Sequence, residues 1–241
     1  MQEIVLRNLE KDYRSNEAYK TLRTNIEFSG ADKKTIVFTS CTPNEGKSTV
    51  SLSLALSLAE GGKNVLFVDA DLRKSVMVGR HKITGEIKGL SHFLSGQAEV
   101  KDVIVKTQKQ GLFAVLAGVV PPNPAELLGG QRFQSFLEST KKVYDYVIID
   151  APPLGSVIDS AVIAKNCDGA VLVISANTIS YKFARVTKEQ LEKSDCPILG
   201  VVLNKVNMKQ NKYYGRYYGR YYGEYYGEKE PKKKAKKDKN K

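Results

Sequence analysis

The 241-residue chain carries a formal net charge of +12, three cysteines and no tryptophan. Cys41, Cys167 and Cys196 are widely spaced and form no CxxC pair, which excludes a disulfide framework and a cysteine zinc site. No apolar run reaches the length of a membrane span. The opening residues do not read as a signal peptide, so a reducing cytoplasm is the expected compartment.

Taken in chain order, the sequence predicts a first helix over Asn16–Phe28 and then alternating strands and helices. The expected strands are Thr35–Ser40, Asn64–Asp69, Leu112–Ala117, Asp145–Asp150, Gly169–Ser175 and Ile198–Leu203. The expected helices between them are Ser48–Glu60, Val100–Lys109, Arg132–Lys142, Ser156–Asn166 and Tyr181–Ser194. Alternation of this kind predicts an α/β fold, a mostly parallel sheet with helices on both faces. Continuous apolar runs such as VLFVD and YVIID fit strands buried on both sides. The expected boundaries are an N-terminal helical segment over 1–30, a phosphate-binding domain over 31–206 and a flexible tail over 207–241.

The tail is unlike the rest. Eight of the thirteen tyrosines lie in YYGRYYGRYYGEYYGE, from Tyr213 to Glu228. Glycine at every fourth position disfavours a helix there. From Asn207 onward, twelve Lys or Arg stand against four Asp or Glu, a net +8. Such a segment is either a solvated tail or one drawn to an anionic surface such as inner-leaflet lipid. Nucleic acid is not an expected partner, because no recognition fold accompanies the charge.

Three motifs carry chemistry. In TIVFTSCTPNEGKST, Thr35–Thr49, a strand ends at Ser40 and Gly46-Lys47-Ser48 opens a helix. Backbone N–H groups at a helix N-terminus favour phosphate, which makes Ser40, Cys41, Thr42, Pro43, Asn44, Glu45, Gly46, Lys47, Ser48 and Thr49 the expected nucleotide-binding loop. Lys47 can reach the β- and γ-phosphates, and the Ser48 hydroxyl can ligate Mg²⁺. Cys41 stands where the usual GxxxxGK[ST] pattern has glycine. In NVLFVDADLR, Asp69 and Asp71 leave the carboxyl end of a buried strand, the edge where open α/β sheets bind ligands. Two acids there suit one metal-ligand role and one base role. In YVIIDAPP, Asp150 ends another apolar strand, in the manner of a second metal-holding carboxylate.

Together these motifs resemble the bacterial tyrosine kinases of capsule and exopolysaccharide operons. That family combines SxxPxxGKS, DxDxR and DxPP with a tyrosine-rich C-terminus. The matching residues here are Ser40, Pro43, Gly46-Lys47-Ser48, then Asp69, Asp71, Arg73, then Asp150 and Pro152-Pro153. GVVPPNPAELL, Gly118–Leu128, is similar to the family's PNPxELL stretch. The resemblance implies that Lys47 holds the phosphates of ATP and that Ser48 and Asp71 ligate Mg²⁺ directly. It implies that Asp69 is the base for the tyrosine hydroxyl, that Asp150 holds the metal through water, and that Asn204 lies near the adenine. It also implies phosphorylation of Tyr213, Tyr214, Tyr217, Tyr218, Tyr221, Tyr222, Tyr225 and Tyr226, with transfer between protomers. The family's ExxRxxR self-association motif reads Glu17, Lys20, Arg23, with lysine in place of the first arginine. The implied partners are other protomers, a phosphotyrosine phosphatase and a membrane-spanning activator that holds the kinase at the inner membrane face.

Two other readings use the same residues. A partition or septum-positioning ATPase resembles GKGGxGK[ST]; its signature lysine falls at Thr42 and its central glycines at Pro43 and Asn44. A nucleotide-bound scaffold, phosphorylated by another kinase, needs no intact acid set. His81 and His92 have no nucleophile motif beside them and read as surface or packing residues. Tyr13, Tyr19, Tyr144, Tyr146 and Tyr181 read as packing residues, Cys41 as a small buried thiol and Glu45 as a spacer.

Overall fold

The computed structural model describes residues 2–10 and 12–207. In chain order its elements are β1 (Glu3–Ile4), α1 (Tyr13–Phe28), β2 (Thr35–Ser40), α2 (Lys47–Glu60), β3 (Val65–Asp69), α3 (Met77–Arg80), α4 (Leu90–Leu94) and α5 (Val100–Val103). They continue with β4 (Ile104–Thr107), β5 (Leu112–Val115), α6 (Pro124–Gly129), α7 (Gln131–Val143), β6 (Tyr146–Asp150), α8 (Asp159–Ala164), β7 (Gly169–Ser175), α9 (Tyr181–Glu192) and β8 (Ile198–Asn204). These belong to one unit, Met1–Asn204. The tyrosine cluster lies outside the described residues.

The strands form one eight-stranded sheet in the order β1-β4-β5-β3-β6-β2-β7-β8. Every pairing is parallel except β4 with β5. Successive residues of a strand face opposite sides, and both sides of this sheet are covered. Leu66, Val68, Val147 and Ile149 enter one core with Phe133 and Phe136 of α7. Val65, Phe67, Tyr146 and Ile148 enter the other, with Leu54 and Leu58 of α2. That double burial is why these strands read as unbroken apolar runs. α2 is itself buried over almost its whole length, its Val, Leu and Ala residues alternating with small serines.

The structure differs from the sequence expectation in particular places. α1 starts at Tyr13 rather than Asn16, because the Asp12 carboxylate accepts from Ser15 N at 2.8 Å and caps the first turn. The expected helix over Val100–Lys109 is a single turn, α5, followed by strand β4. Ile104–Thr107 is held between β1 and β5, and that pairing overrides the local helical pattern. The N-terminal segment also contributes a strand, β1, in addition to its helix.

Candidate active site

The carboxyl ends of β3, β6 and β2, neighbours in the sheet, carry the chemistry. Their register sets Asp69 directly beside Asp150 and Phe38 beside Asp150, so β2 runs two residues further to Ser40 before the loop begins. The exit of β6 is strapped to β2. Thr39 Oγ1 donates to Pro152 O at 2.8 Å, and Leu154 N donates to Ser40 O at 2.8 Å.

The loop between Ser40 and Lys47 is built from backbone that glycine and asparagine tolerate. Asn44 has φ 65° and Gly46 has φ 93°. Gly46 is required twice over, since a Cβ there would also lie 2.1 Å from the Asn204 amide nitrogen. α2 then begins at Lys47 with no side chain capping its first N–H groups. Uncapped donors at the start of a fourteen-residue helix are a fit for phosphate oxygens.

Lys47 lies among carboxylates. Its Nζ is 3.0 Å from Asp71 Oδ2 and 3.8 Å from Asp150 Oδ1. Burial works against the ammonium, but Asp150 and then Asp71 outweigh it and hold its pKa above the usual lysine value. Asp150 is buried, and its Oδ1 has no hydrogen-bond partner among the described residues. Burial raises its carboxyl pKa, against the pull of Lys47 and of the Ser48 hydroxyl. Asp69 is fully buried, and burial followed by the charge of Asp150 pushes it up to about 7. Ser75 Oγ donates to Asp69 Oδ2, and Asp71 Oδ1 accepts from Lys74 N. The adjacent carboxylates thus meet different partners, Asp71 facing Lys47 and Asp69 facing Ser75.

Asn204 ends β8 and reaches the loop, donating from Nδ2 to Glu45 O at 2.9 Å. Glu45 is more than a spacer. It is 1% exposed, and its carboxylate accepts from Thr42 N at 2.7 Å and from Ser175 N at 3.2 Å. Arg73 makes a two-pronged pair with Asp159, Nε to Oδ2 at 2.7 Å and Nη2 to Oδ1 at 2.9 Å. Neither Glu45 nor Asp159 signals these roles in the sequence, because Ser175 and Arg73, the partners that fix them to other elements, are far away along the chain.

Other expected residues fall elsewhere. Glu17 and Lys20 pair on the surface of α1. Arg23 turns inward, donating from Nη1 to Ser57 O of α2 at 2.6 Å. Cys41 is a buried thiol, its pKa raised by burial. His81 is buried against Arg7, and His92 Nδ1 accepts from Gly89 N. Tyr144 and Tyr146 pack as expected, but Tyr13 is 62% exposed and Tyr181 83%. Both exposed tyrosines sit at the first position of a helix.

Residues 33–187 match the AAA domain family. The tyrosine-protein kinase CpsD of Streptococcus agalactiae is 48% identical over 205 residues, covering 85% of this chain and 90% of that protein. The kinase domain of Escherichia coli tyrosine kinase ETK superposes with a TM-score of 0.74 at 33% identity, covering 80% of this chain and 77% of that one. The septum site-determining protein MinD of Pyrococcus horikoshii, at a TM-score of 0.63 and 24% identity over 74% of this chain and 72% of its own, shares the fold alone. With the phosphate-loop fold and the kinase relatives agreeing, the chain belongs to the bacterial tyrosine-protein kinases of capsule and exopolysaccharide biosynthesis.

Proposed function

We propose that this kinase transfers the γ-phosphoryl group of ATP to the tyrosines of its own C-terminal cluster, from one protomer to the tail of another. The observation that carries this reading is the convergence of Lys47, Asp71 and Asp150 at the uncapped start of α2. Lys47 binds phosphate oxygens and offsets their charge. The tyrosine oxygen bonds to the γ-phosphorus as the bond to the β–γ bridging oxygen breaks, and that electron pair leaves on ADP. Asp69 takes the phenolic proton, a role that a carboxyl pushed up to about 7 suits.

Mg²⁺ fits the donors present. Asp71 and the Ser48 hydroxyl are hard oxygen ligands at the phosphate loop, and the orphaned Asp150 Oδ1 would hold the ion through water. Among the described residues no three His, Cys, Asp or Glu side chains converge on a metal position, which suits an ion whose remaining ligands are phosphate oxygens and water. Bound there, the ion would neutralise charge on the β- and γ-phosphates. Asn204 would lie beside the adenine.

Among the described residues no helix is long and apolar enough to cross a membrane. A separate membrane-spanning activator, named by the family resemblance, would therefore place the kinase at the inner membrane face and complete its site. A phosphotyrosine phosphatase would reset the tail. Lys20, exposed on α1, and its half-buried partner Glu17 would serve self-association, and Arg23 would contribute by stiffening α1 against α2.

Mass spectrometry after incubation with Mg-ATP, with and without the activator's cytoplasmic end, tests the reading. Phosphate is expected on Tyr213–Tyr226 in the wild type and absent in Lys47→Met. ATP hydrolysis with no phosphotyrosine would return the chain to the positioning-ATPase class.

A further inference from the structure

α3 ends at Arg80, a residue that the motifs do not explain. Its Nη1 donates to Thr49 Oγ1 at 2.8 Å. Thr49 is the third residue of α2, next to Ser48, so the guanidinium lies over the first turn of the helix whose N-terminus suits phosphate. Among the described residues Arg80 forms no salt bridge, its charge reaches Asp150 only from beyond salt-bridge distance, and Thr49 engages one of its five donors. An exposed arginine set beside an anion site with donors to spare is half of a charge-assisted pair.

The backbone beneath it is anchored from the other end of the sequence. Asn8 Nδ2 donates to Arg80 O at 3.0 Å, Arg7 N donates to His81 O at 3.4 Å, and His81 Nδ1 meets Arg7 O at 2.6 Å. Asn8 takes a left-handed φ of 58° to do so. The segment is fixed in turn to the β1–β4 edge of the sheet, where the Gln108 amide brackets Leu6 through both its nitrogen and its oxygen. A four-residue helix does not hold its position unaided; these bonds hold it.

We infer that Arg80 is a phosphate-contacting residue for the bound nucleoside di- or triphosphate, and that Arg7 and Asn8 present it over α2. The inference rests on the nucleotide reading of the phosphate loop given above.

The test is a titration of the full chain, with the activator's cytoplasmic end present, with a fluorescent ADP in Mg²⁺ at several salt concentrations, with Lys47→Met as the control. Arg80→Ala should weaken binding about tenfold, the loss of one charged hydrogen bond. It should also flatten the salt dependence, since one cation no longer faces the phosphates. Arg80→Lys should keep the salt dependence and recover part of the affinity. Asn8→Ala should shift binding in the same direction by a smaller factor. Wild-type affinity in Arg80→Ala, with binding lost in Lys47→Met, overturns the inference and leaves the phosphate loop standing. So does a tenfold loss with the wild-type salt slope, which would mark a loosened loop. No binding by the wild type would overturn the nucleotide reading and this inference together.

Discussion

Glu45 places a carboxylate inside a loop built to receive anions. Its two oxygens take the N–H groups of Thr42 and Ser175, while its own carbonyl takes the Asn204 amide. The side chain thereby ties the loop to the end of β7, and the Glu45 carbonyl ties it to the end of β8. Removing it leaves two backbone donors without acceptors, each costing about 1–3 kcal/mol where water cannot replace the bond. Glu45→Ala is therefore expected to lower the unfolding free energy by about 2–6 kcal/mol, with Glu45→Gln between it and wild type because one oxygen acceptor remains. Urea titration with the tail intact measures this directly. An unchanged midpoint in Glu45→Ala would mean that the two N–H groups find other partners. The sequence gives no hint of this role, since Ser175 lies 130 residues away and the neighbours of Glu45 are loop residues. The meeting of Lys47, Ser48, Asp71 and Asp150 was legible because the strand–loop–helix context and the strand ends that place them are local.

At the scale of elements, the exits of β3 and β6 must stay in fixed relation, because Asp71 follows one and Asp150 ends the other. The Arg73–Asp159 pair braces them, joining the segment after β3 to the first turn of α8. Its two ends are not equivalent. The Asp159 side chain is fully buried, whereas that of Arg73 is 41% exposed. Deleting the arginine strands a buried carboxylate, which costs about 3–5 kcal/mol. Deleting the carboxylate leaves a guanidinium that can turn to water, at roughly the cost of an ordinary surface bond, about 1 kcal/mol. Arg73→Ala should therefore unfold at markedly lower urea than Asp159→Ala, and equal midpoints would refute the asymmetry. Elements differ in the same way in how far they could be read. β2, β3 and β6 are buried on both faces, so their composition alone declares them. β4 carries Lys106 at an exposed position and exists through its pairing with β1 and β5. Nothing in residues 100–109 by themselves says that the helix should stop after one turn.

For the whole molecule, charge is the property that its proposed reaction changes most. The chain from Asn207 onward carries +8. Each phosphotyrosine adds about −1.5 to −2 at neutral pH. Four or five phosphates would cancel the tail's charge, and eight would reverse it to between about −4 and −8. A polybasic segment gains about 1 kcal/mol per cation close to an anionic bilayer, within a screening length of about 8 Å at physiological salt. The unphosphorylated chain should therefore sediment with phosphatidylserine vesicles and be released as salt rises. The fully phosphorylated chain should stay in the supernatant at every salt concentration. A chain with all eight cluster tyrosines changed to phenylalanine should sediment like the unphosphorylated form even after incubation with Mg-ATP. Equal sedimentation of the phosphorylated and phenylalanine forms would separate phosphorylation from membrane attachment. The tail would then act through a partner that reads phosphotyrosine itself, because bulk charge would have been shown not to matter.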